Sequence, residues 1–448
     1  MSRLEKYPSY RESGVEWLGE IPEGWETQKM KYLGKMFAGL ADKKGDDFAK
    51  EISEDKKPFI PFTNVCNNLK IDKNQMQYVR IKPYEKQNKV QKNDIIFLMS
   101  SETLEDIGKC SIHIDEEQFY LNSFCKGFRP KAFAINAEFL NYLLQSKTYR
   151  NYFALVGRGF TRINIKQEYI NDLFTILPPK QEQTKIAQFL DKKTAQIDEV
   201  ISQKQKLIEL LKERRQIVIN DAVTKGLDKS VEFVDSGVEW IGEIPKHWEV
   251  KKLKYVVIKI GSGITPSGGA LSYLTEGIPL LRSQNILFEK IDYEKSVYIS
   301  EKTHNKMKNS QVKYNDVLLN ITGGSIGRCN YVDVHYPLNV NQHVCIIRPT
   351  NKIFTILLNN ILASEVGQSQ IWRFQQGGGR EGLSFETIKN FDIPLPPKNE
   401  QLQIVKHIET QTTKIDKAIE LQQNYISKLK EYKATLIDSV VTGKVKVC

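Results

Sequence analysis

One stretch of this chain is written twice. Ser13-Gly14-Val15-Glu16-Trp17-Leu18-Gly19-Glu20-Ile21-Pro22, with Trp25-Glu26 after it, returns as Ser236-Gly237-Val238-Glu239-Trp240-Ile241-Gly242-Glu243-Ile244-Pro245, with Trp248-Glu249 after it. Fourteen of the twenty positions 13–32 are identical in 236–255. A second pair lies further on: Leu177-Pro178-Pro179-Lys180, then Glu182-Gln183, returns as Leu395-Pro396-Pro397-Lys398, then Glu400-Gln401. Solenoid repeats run about 20–45 residues, and repeats of roughly 220 are far too long to be such turns. The 448 residues therefore read as one large unit used twice.

Between these motifs the copies diverge. Asn93-Asp94-Ile95 echoes Asn315-Asp316-Val317, Ile107-Gly108-Lys109-Cys110 echoes Ile326-Gly327-Arg328-Cys329, and Arg129-Pro130 echoes Arg348-Pro349. The residues between these anchors differ and their spacing slips, so the frame is shared and the loops are not. Function concentrates on loops held by a rigid frame, which predicts two related but non-identical targets. Each middle part reads as α+β. Short strands rich in Ile, Phe and Val are expected at 94–98, 119–121 and 344–347, and helices at 137–152 and 353–366. Loops are expected at Gly261-Ser262-Gly263, Gly323-Gly324 and Gly377-Gly378-Gly379.

Both Pro-Pro motifs lead into long stretches without Pro or Gly. The first carries a heptad seam through Leu190, Ile197, Ile201, Ile208, Leu211 and Val218; the second carries it through Ile408, Ile415, Ile419, Ile426, Leu429 and Leu436. Polar residues interrupt both seams at equivalent places: Thr194 and Thr412, Lys204 and Gln422, Arg215 and Lys433. Equivalent helices with matching seams are expected to pair, antiparallel if a two-fold relates the repeats. About 44 residues at 1.5 Å each make a helix of roughly 65 Å.

The net charge of +11 is localised. The variable parts, 28–177 and 250–394, carry +6 each, whereas the repeated Trp-containing segments are acidic. Basic variable domains suit a polyanion. Much chemistry is missing. There is no phosphate-binding Gly-x-x-x-x-Gly-Lys-Ser/Thr loop, and Leu177 and Leu395 stand where amino-methyltransferases of DNA place Asn or Asp before Pro-Pro. Asp47, Glu54 and Lys56 have nuclease residue types but lie in a charged stretch where no strand frame is expected. Gly261-Ser262-Gly263-Ile264-Thr265-Pro266 lacks the third glycine of a dinucleotide site. The six cysteines form no Cys-x-x-Cys, and the histidines do not cluster, so no disulfide framework and no metal site are expected. Neither a secretory signal nor a membrane-spanning run of about 20 apolar residues is visible. A cytoplasmic location is expected.

On the two Ser-Gly-Val-Glu-Trp-(Leu/Ile)-Gly-Glu-Ile-Pro-x-x-Trp segments and the two Leu-Pro-Pro-Lys-x-Glu-Gln segments, nearly the whole chain resembles the specificity subunit of type I restriction-modification systems. The resemblance implies an α+β pseudo-two-fold repeat: two tandem strand-rich target recognition domains separated by two long antiparallel coiled-coil helices. The implied segments are a first recognition domain over 1–177, a spacer helix over 178–225, a second domain over 226–395 and a second helix over 396–448. It further implies a non-catalytic subunit that reads a split, asymmetric site in double-stranded DNA. Such a subunit holds no cofactor of its own. It scaffolds two modification subunits, which carry S-adenosylmethionine and methylate adenine at N6, and two restriction subunits, which use ATP and Mg²⁺. A self-sufficient methyltransferase or nuclease with an unrecognised site remains the alternative, and a reader of DNA shape alone is a third.

Base readers are side chains with paired donors and acceptors on basic loops. In the first repeat these are Asn64, Arg158, Thr161, Arg162 and Asn164; in the second they are Arg282, Gln284, Asn285, Thr322, Ser325 and Arg380. Arg162 and Arg380 are equivalent, each following a glycine-containing loop. A phosphate contact or a salt bridge is the other role open to each.

Overall fold

The computed structural model describes residues 5–51, 55–375 and 382–447. Arg380, Glu54 and Gly377-Gly378-Gly379 lie outside the described residues. Two compact units emerge: 1–204 with 424–448, and 205–423. The units do not follow chain order. Each combines one variable part with the start of its own long helix and the end of the other.

The repeated motifs build the same local lock in both units. Ser13 and Ser236 close a loop by donating their N–H groups to Gly19 and Gly242 at 3.0 Å. Gly14 and Gly19, like Gly237 and Gly242, have φ of 65–73°, which only glycine adopts freely. The loop delivers a buried tryptophan to the first turn of the long helix: Trp25 Nε1 donates to Glu182 at 3.2 Å, and Trp248 Nε1 donates to Glu400 at 2.9 Å. The following glutamine ties that turn to the variable domain. Gln183 Oε1 accepts from the Asn136 N–H (2.8 Å), and Gln401 Oε1 accepts from the Phe354 N–H (3.1 Å). The two repeated segments therefore recur because each needs the other.

Each variable part holds two four-stranded sheets. In the first unit, an antiparallel sheet runs 110–112, 95–98, 125–130, 34–38, and a mixed sheet runs 120–121, 56–60, 77–80, 48–49. In the second, the antiparallel sheet runs 257–262, 344–349, 317–320, 329–331, and the mixed sheet runs 297–299, 278–281, 338–340, 311–312. The fully buried strands Ile95–Leu98 and Val317–Asn320 are near-continuous apolar runs, as burial on both faces requires. The mixed sheets share three strands and differ in the fourth. The first adds 48–49 beside 77–80; the second adds 311–312 on the opposite edge, beside 338–340.

The anchors spotted in the sequence are one device used twice. Asn93 and Asn315 turn the chain at φ 69° and 67°. The next residue, a buried aspartate, takes a bidentate arginine: Asp94 with Arg129 at 2.9 and 2.7 Å, Asp316 with Arg348 at 2.6 and 2.7 Å. These arginines hold the frame.

The helices expected at 137–152 and 353–366 are each broken in two. They run Ala137–Gln145 then Lys147–Val156, and Thr355–Ala363 then Glu365–Arg373. Ser146 and Ser364 stand at the breaks with extended ψ, their hydroxyls donating back to Leu143 and Ile361 at 2.7 Å. Serine competes for backbone groups in this way and ends helices.

The long helices are Lys180–Lys225 and Lys398–Val441. Within the first unit, Asp198 meets Lys433 (2.6 Å) and the Lys204 ammonium lies 4.6 Å from the Tyr425 ring. Within the second, Arg215 meets Asp416 at 3.2 Å, and Ile219 and Val223 share a core with Ile404 and Ile408. Rising numbers on one helix face falling numbers on the other, so the pairing is antiparallel in each unit. Asp198–Lys433 and Asp416–Arg215 are the same ion pair in the two repeats, and both involve the polar seam positions. The seam residues Leu190, Ile197, Ile208, Ile408, Ile426 and Leu436 are buried. Ile201, Leu211, Val218, Ile415, Ile419 and Leu429 are half-buried. Among the described residues, no helix is long and apolar enough to cross a membrane.

Candidate nucleic-acid interface

In the first unit, a short hairpin follows the helix Lys147–Val156. Arg158 and Asn164 exchange both backbone hydrogen bonds, at 3.1 and 2.8 Å, closing the loop that carries Phe160, Thr161 and Arg162. Ile163–Asn164 then pairs with Ser100–Ser101. This places the loop against a cavity of about 220 Å³ lined by Phe62, Cys66, Leu98, residues 100–103, Asp106, Phe124 and Arg162. The exposed Arg162 guanidinium sits 4.9 Å from the Phe124 ring centroid, within cation–π range. Arg158 is exposed, donating to the carbonyls of Leu155 and Gly157. Thr161 is exposed, and Asn164 spends one amide hydrogen on the Arg162 carbonyl at 3.1 Å. Four of the five first-repeat candidates thus stand on one loop.

Asn64 does not join them, and this is a correction. It is fully buried: its amide donates to the Asp72 carbonyl at 2.8 Å, and its carbonyl oxygen accepts from the Asp72 N–H at 3.0 Å. Asn285 is corrected for the same reason. Its Nδ2 donates to the Asp292 carbonyl and its Oδ1 accepts from the Arg282 N–H, at 3.0 and 2.9 Å. Both asparagines staple the loop after a strand of the mixed sheet, in equivalent places, and neither offers an edge to DNA.

In the second unit, Arg282 is half-buried, with its guanidinium 5.9 Å from the Tyr273 ring and its Nε without a hydrogen-bond partner. Gln284 is exposed beside it. Ser325 is half-buried in the turn Gly323–Ser325. The Thr322 hydroxyl meets His343 Nδ1 at 2.5 Å, His343 Nε2 lies 3.0 Å from Gln342 Nε2, and Gln342 Oε1 accepts from the Thr265 hydroxyl. This polar chain runs across three loops. Arg380, the partner of Arg162 by repeat, lies outside the described residues.

Neither surface resembles a catalytic centre. Burial pushes the Cys66 thiol in the first cavity above its ordinary range, against the pull of Lys109. The buried thiols of Cys110, Cys329 and Cys345 are pushed up to about 12. None of these supplies a thiolate at neutral pH. The hydrogen bond from Lys109 holds the Asp106 carboxyl below the usual carboxylate range. Among the described residues, no group of His, Cys, Asp and Glu is placed to hold a metal ion.

A family model for the type I restriction modification DNA specificity domain matches the chain twice, over residues 22–210 and 245–431. The chain belongs to this family. Its relatives include the type I restriction enzyme EcoKI specificity subunit of Escherichia coli K12, 24% identical over 87% of this chain and 82% of that one. The putative MjaX specificity subunit of Methanocaldococcus jannaschii is 26% identical over 96% of both chains. The fold matches a chain solved in work on complex assembly and conformational transition of the type I R-M system, with a TM-score of 0.71, 15% identity and 94% and 98% of the two chains covered. It also matches the HsdS subunit of Thermoanaerobacter tengcongensis, with a TM-score of 0.53, 15% identity and 97% and 100% covered.

For a specificity-domain chain, the residues that the sequence reading passed over are informative. Phe124 and Phe160 were missed because the search was for donors and acceptors, although Phe160 stands between two of the chosen residues. His343, Gln342 and Thr265 were missed because histidines were weighed only as metal ligands. For Gln342 and His343 the legible signal was the polar run Asn341-Gln342-His343 directly before a strand; Thr265 had none.

Proposed function

We propose that this chain supplies DNA sequence specificity to a type I restriction-modification complex in the cytoplasm. One unit reads one half of a split, asymmetric site and the other unit reads the other half. The chain carries no catalytic group for methylation or cleavage. Two modification subunits bring S-adenosylmethionine and methylate adenine, two restriction subunits bring ATP and Mg²⁺, and this chain scaffolds both. The proposed readers are Arg158, Thr161, Arg162 and Asn164 in the first unit, and Arg282, Gln284, Thr322, Ser325 and Arg380 in the second.

The observation behind this reading is the pairing of one frame with two different loop surfaces. The frame repeats down to single hydrogen bonds at Trp25 and Trp248. Among the described residues the loop surfaces differ: an arginine on Phe124 in one, a Thr322–His343–Gln342 chain in the other. Bidentate arginine suits guanine, and paired amides suit adenine. The test is methylated-base mapping in cells that express this chain with its modification subunits. A two-part motif with unlike halves is expected. A perfectly palindromic motif, or methylation of DNA by the purified chain with S-adenosylmethionine and no partner, would overturn the reading.

A further inference from the structure

The Arg158–Asn164 hairpin holds one apolar side chain out to solvent. Phe160 is fully exposed, at 109% of its reference area. Its backbone is not free to fold the ring back. Gly159 has φ of +145°, and a Cβ there would lie 1.8 Å from the Arg162 carbonyl oxygen, so the chain crosses itself at a point that only glycine permits. The Arg158–Asn164 backbone pair closes the hairpin beneath. The ring is therefore presented at the tip, with a cation on either side two residues away. Arg158 and Arg162 are both exposed, and among the described residues neither is in an ion pair with a carboxylate. The carboxylates lining the adjoining cavity are Glu102 and Asp106, and Asp106 is already held by Lys109 at 2.6 Å.

We infer that Phe160 is a wedge that inserts between two base pairs of the half-site read by the first unit. The inference rests on the DNA-specificity reading and goes beyond it. A phenyl ring has no hydrogen bond to give; duplex DNA offers it thymine methyl groups in the major groove and, with far more area, the faces of its bases, reached by unstacking a step. Flanking arginines suit this role. As base readers they contact the pairs on either side of the opened step and hold the ring in line with the stack. Insertion favours easily unstacked pyrimidine–purine steps, so Phe160 contributes specificity at a step where it makes no hydrogen bond.

The test uses the full-length chain and duplex DNA carrying the mapped motif, with 2-aminopurine placed at each position of one half-site in turn. The wild-type chain is expected to raise fluorescence at one step only, and Phe160→Ala to abolish that rise. Aromatic stacking on a base sets the expected loss of affinity for Phe160→Ala at roughly 5- to 150-fold. Phe160→Leu, which keeps an apolar wedge, restores part of it. An abasic site at the same step, already unstacked, narrows the gap between Phe160→Ala and wild type. Unchanged fluorescence and affinity in a folded Phe160→Ala chain would overturn the wedge while leaving specificity intact. So would weakened capture of the modification subunit with DNA affinity unchanged, since the ring would then be a protein contact. Loss of sequence preference in the wild-type chain itself would instead overturn the specificity reading, and the wedge with it.

Discussion

The two units end their helix packing differently. In the first, the last turns of the second long helix are tied down by Asp438, which accepts from the Thr148 N–H and hydroxyl at 3.0 and 2.9 Å and pairs with Lys444 at 2.7 Å. In the second, the equivalent position on the first long helix is Asn220, whose buried Oδ1 has no hydrogen-bond partner. Val366, with no side-chain donor, stands where the first repeat has Thr148. Upstream the units agree closely: tryptophan on glutamate, glutamine on a backbone N–H, arginine on a buried aspartate. Identity is kept where one side chain satisfies several partners at once. It is lost at the rim of each unit, where one changed residue alters a contact without unmaking the frame.

The largest expected effect tests the shared frame. Trp25→Ala and Trp248→Ala each remove a buried ring and one hydrogen bond to a glutamate, leaving Tyr7 on Glu182 and His247 on Glu400, so each should cost about 3–5 kcal/mol in denaturant unfolding of the full chain. The two costs should agree. A tryptophan that proves dispensable in one repeat would show that the copies are alike in sequence but not in energetics.

A smaller effect separates the frame from the reading loops. Arg162→Ala should lose about 1–3 kcal/mol of binding to one half-site only, with unfolding stability unchanged. A uniform loss on all sequences, with a reduced salt slope, would make Arg162 a phosphate contact. Asn64→Ala should do the reverse, unstapling its loop and lowering stability without a base-specific signature.

The smallest effect concerns the rim. Asp438→Asn should cost about 1–2 kcal/mol near neutral pH, and Asn220→Ala much less. Burial raises the Asp438 carboxyl, but Lys444 and the Thr148 donors outweigh it and the net shift is downward. Its folded pKa is therefore below the unfolded value of about 3.9. The unfolded chain binds the extra proton first, so the stabilisation is full above pH of about 4 and fades as pH falls through the folded pKa. Stability curves of wild type and Asp438→Asn should converge in acid. Curves that stay parallel down to acid would mean that the carboxylate charge contributes nothing.

Much of the fold was legible because it is repeated. Identical motifs announced two copies, and seam residues such as Leu190 and Ile408 announced two long helices. The breaks at Ser146 and Ser364 were not legible, because a serine within an apolar period reads the same whether its hydroxyl faces water or turns back on the helix. The candidate interface was half legible. The glycine-containing loop before Arg162 was legible as a loop, but not as a hairpin. Asn64 and Asn285 misled because an amide suited to adenine is equally suited to a buried backbone carbonyl. The Thr322–His343 contact joins residues 21 apart, and no spacing rule predicts it.

The spacing between half-sites offers another handle on the helix pair. A heptad inserted after Leu211 and another after Leu429 preserve the seam and add about 10 Å to each helix. Methylation of a target library should then shift to a longer spacer with the same bases read at either end. An unchanged spacer preference in a stable variant would leave the helices as scaffold alone.

The central claim is that frame and reading surface are separable. The direct measurement is methylated-base mapping for a chain in which residues 28–177 stand in place of 251–395, expressed with its modification subunits. If each unit reads its own half-site through its variable part, the motif should become the same half-site twice. A folded, assembled chimera that still methylates the original two-part motif would contradict the claim.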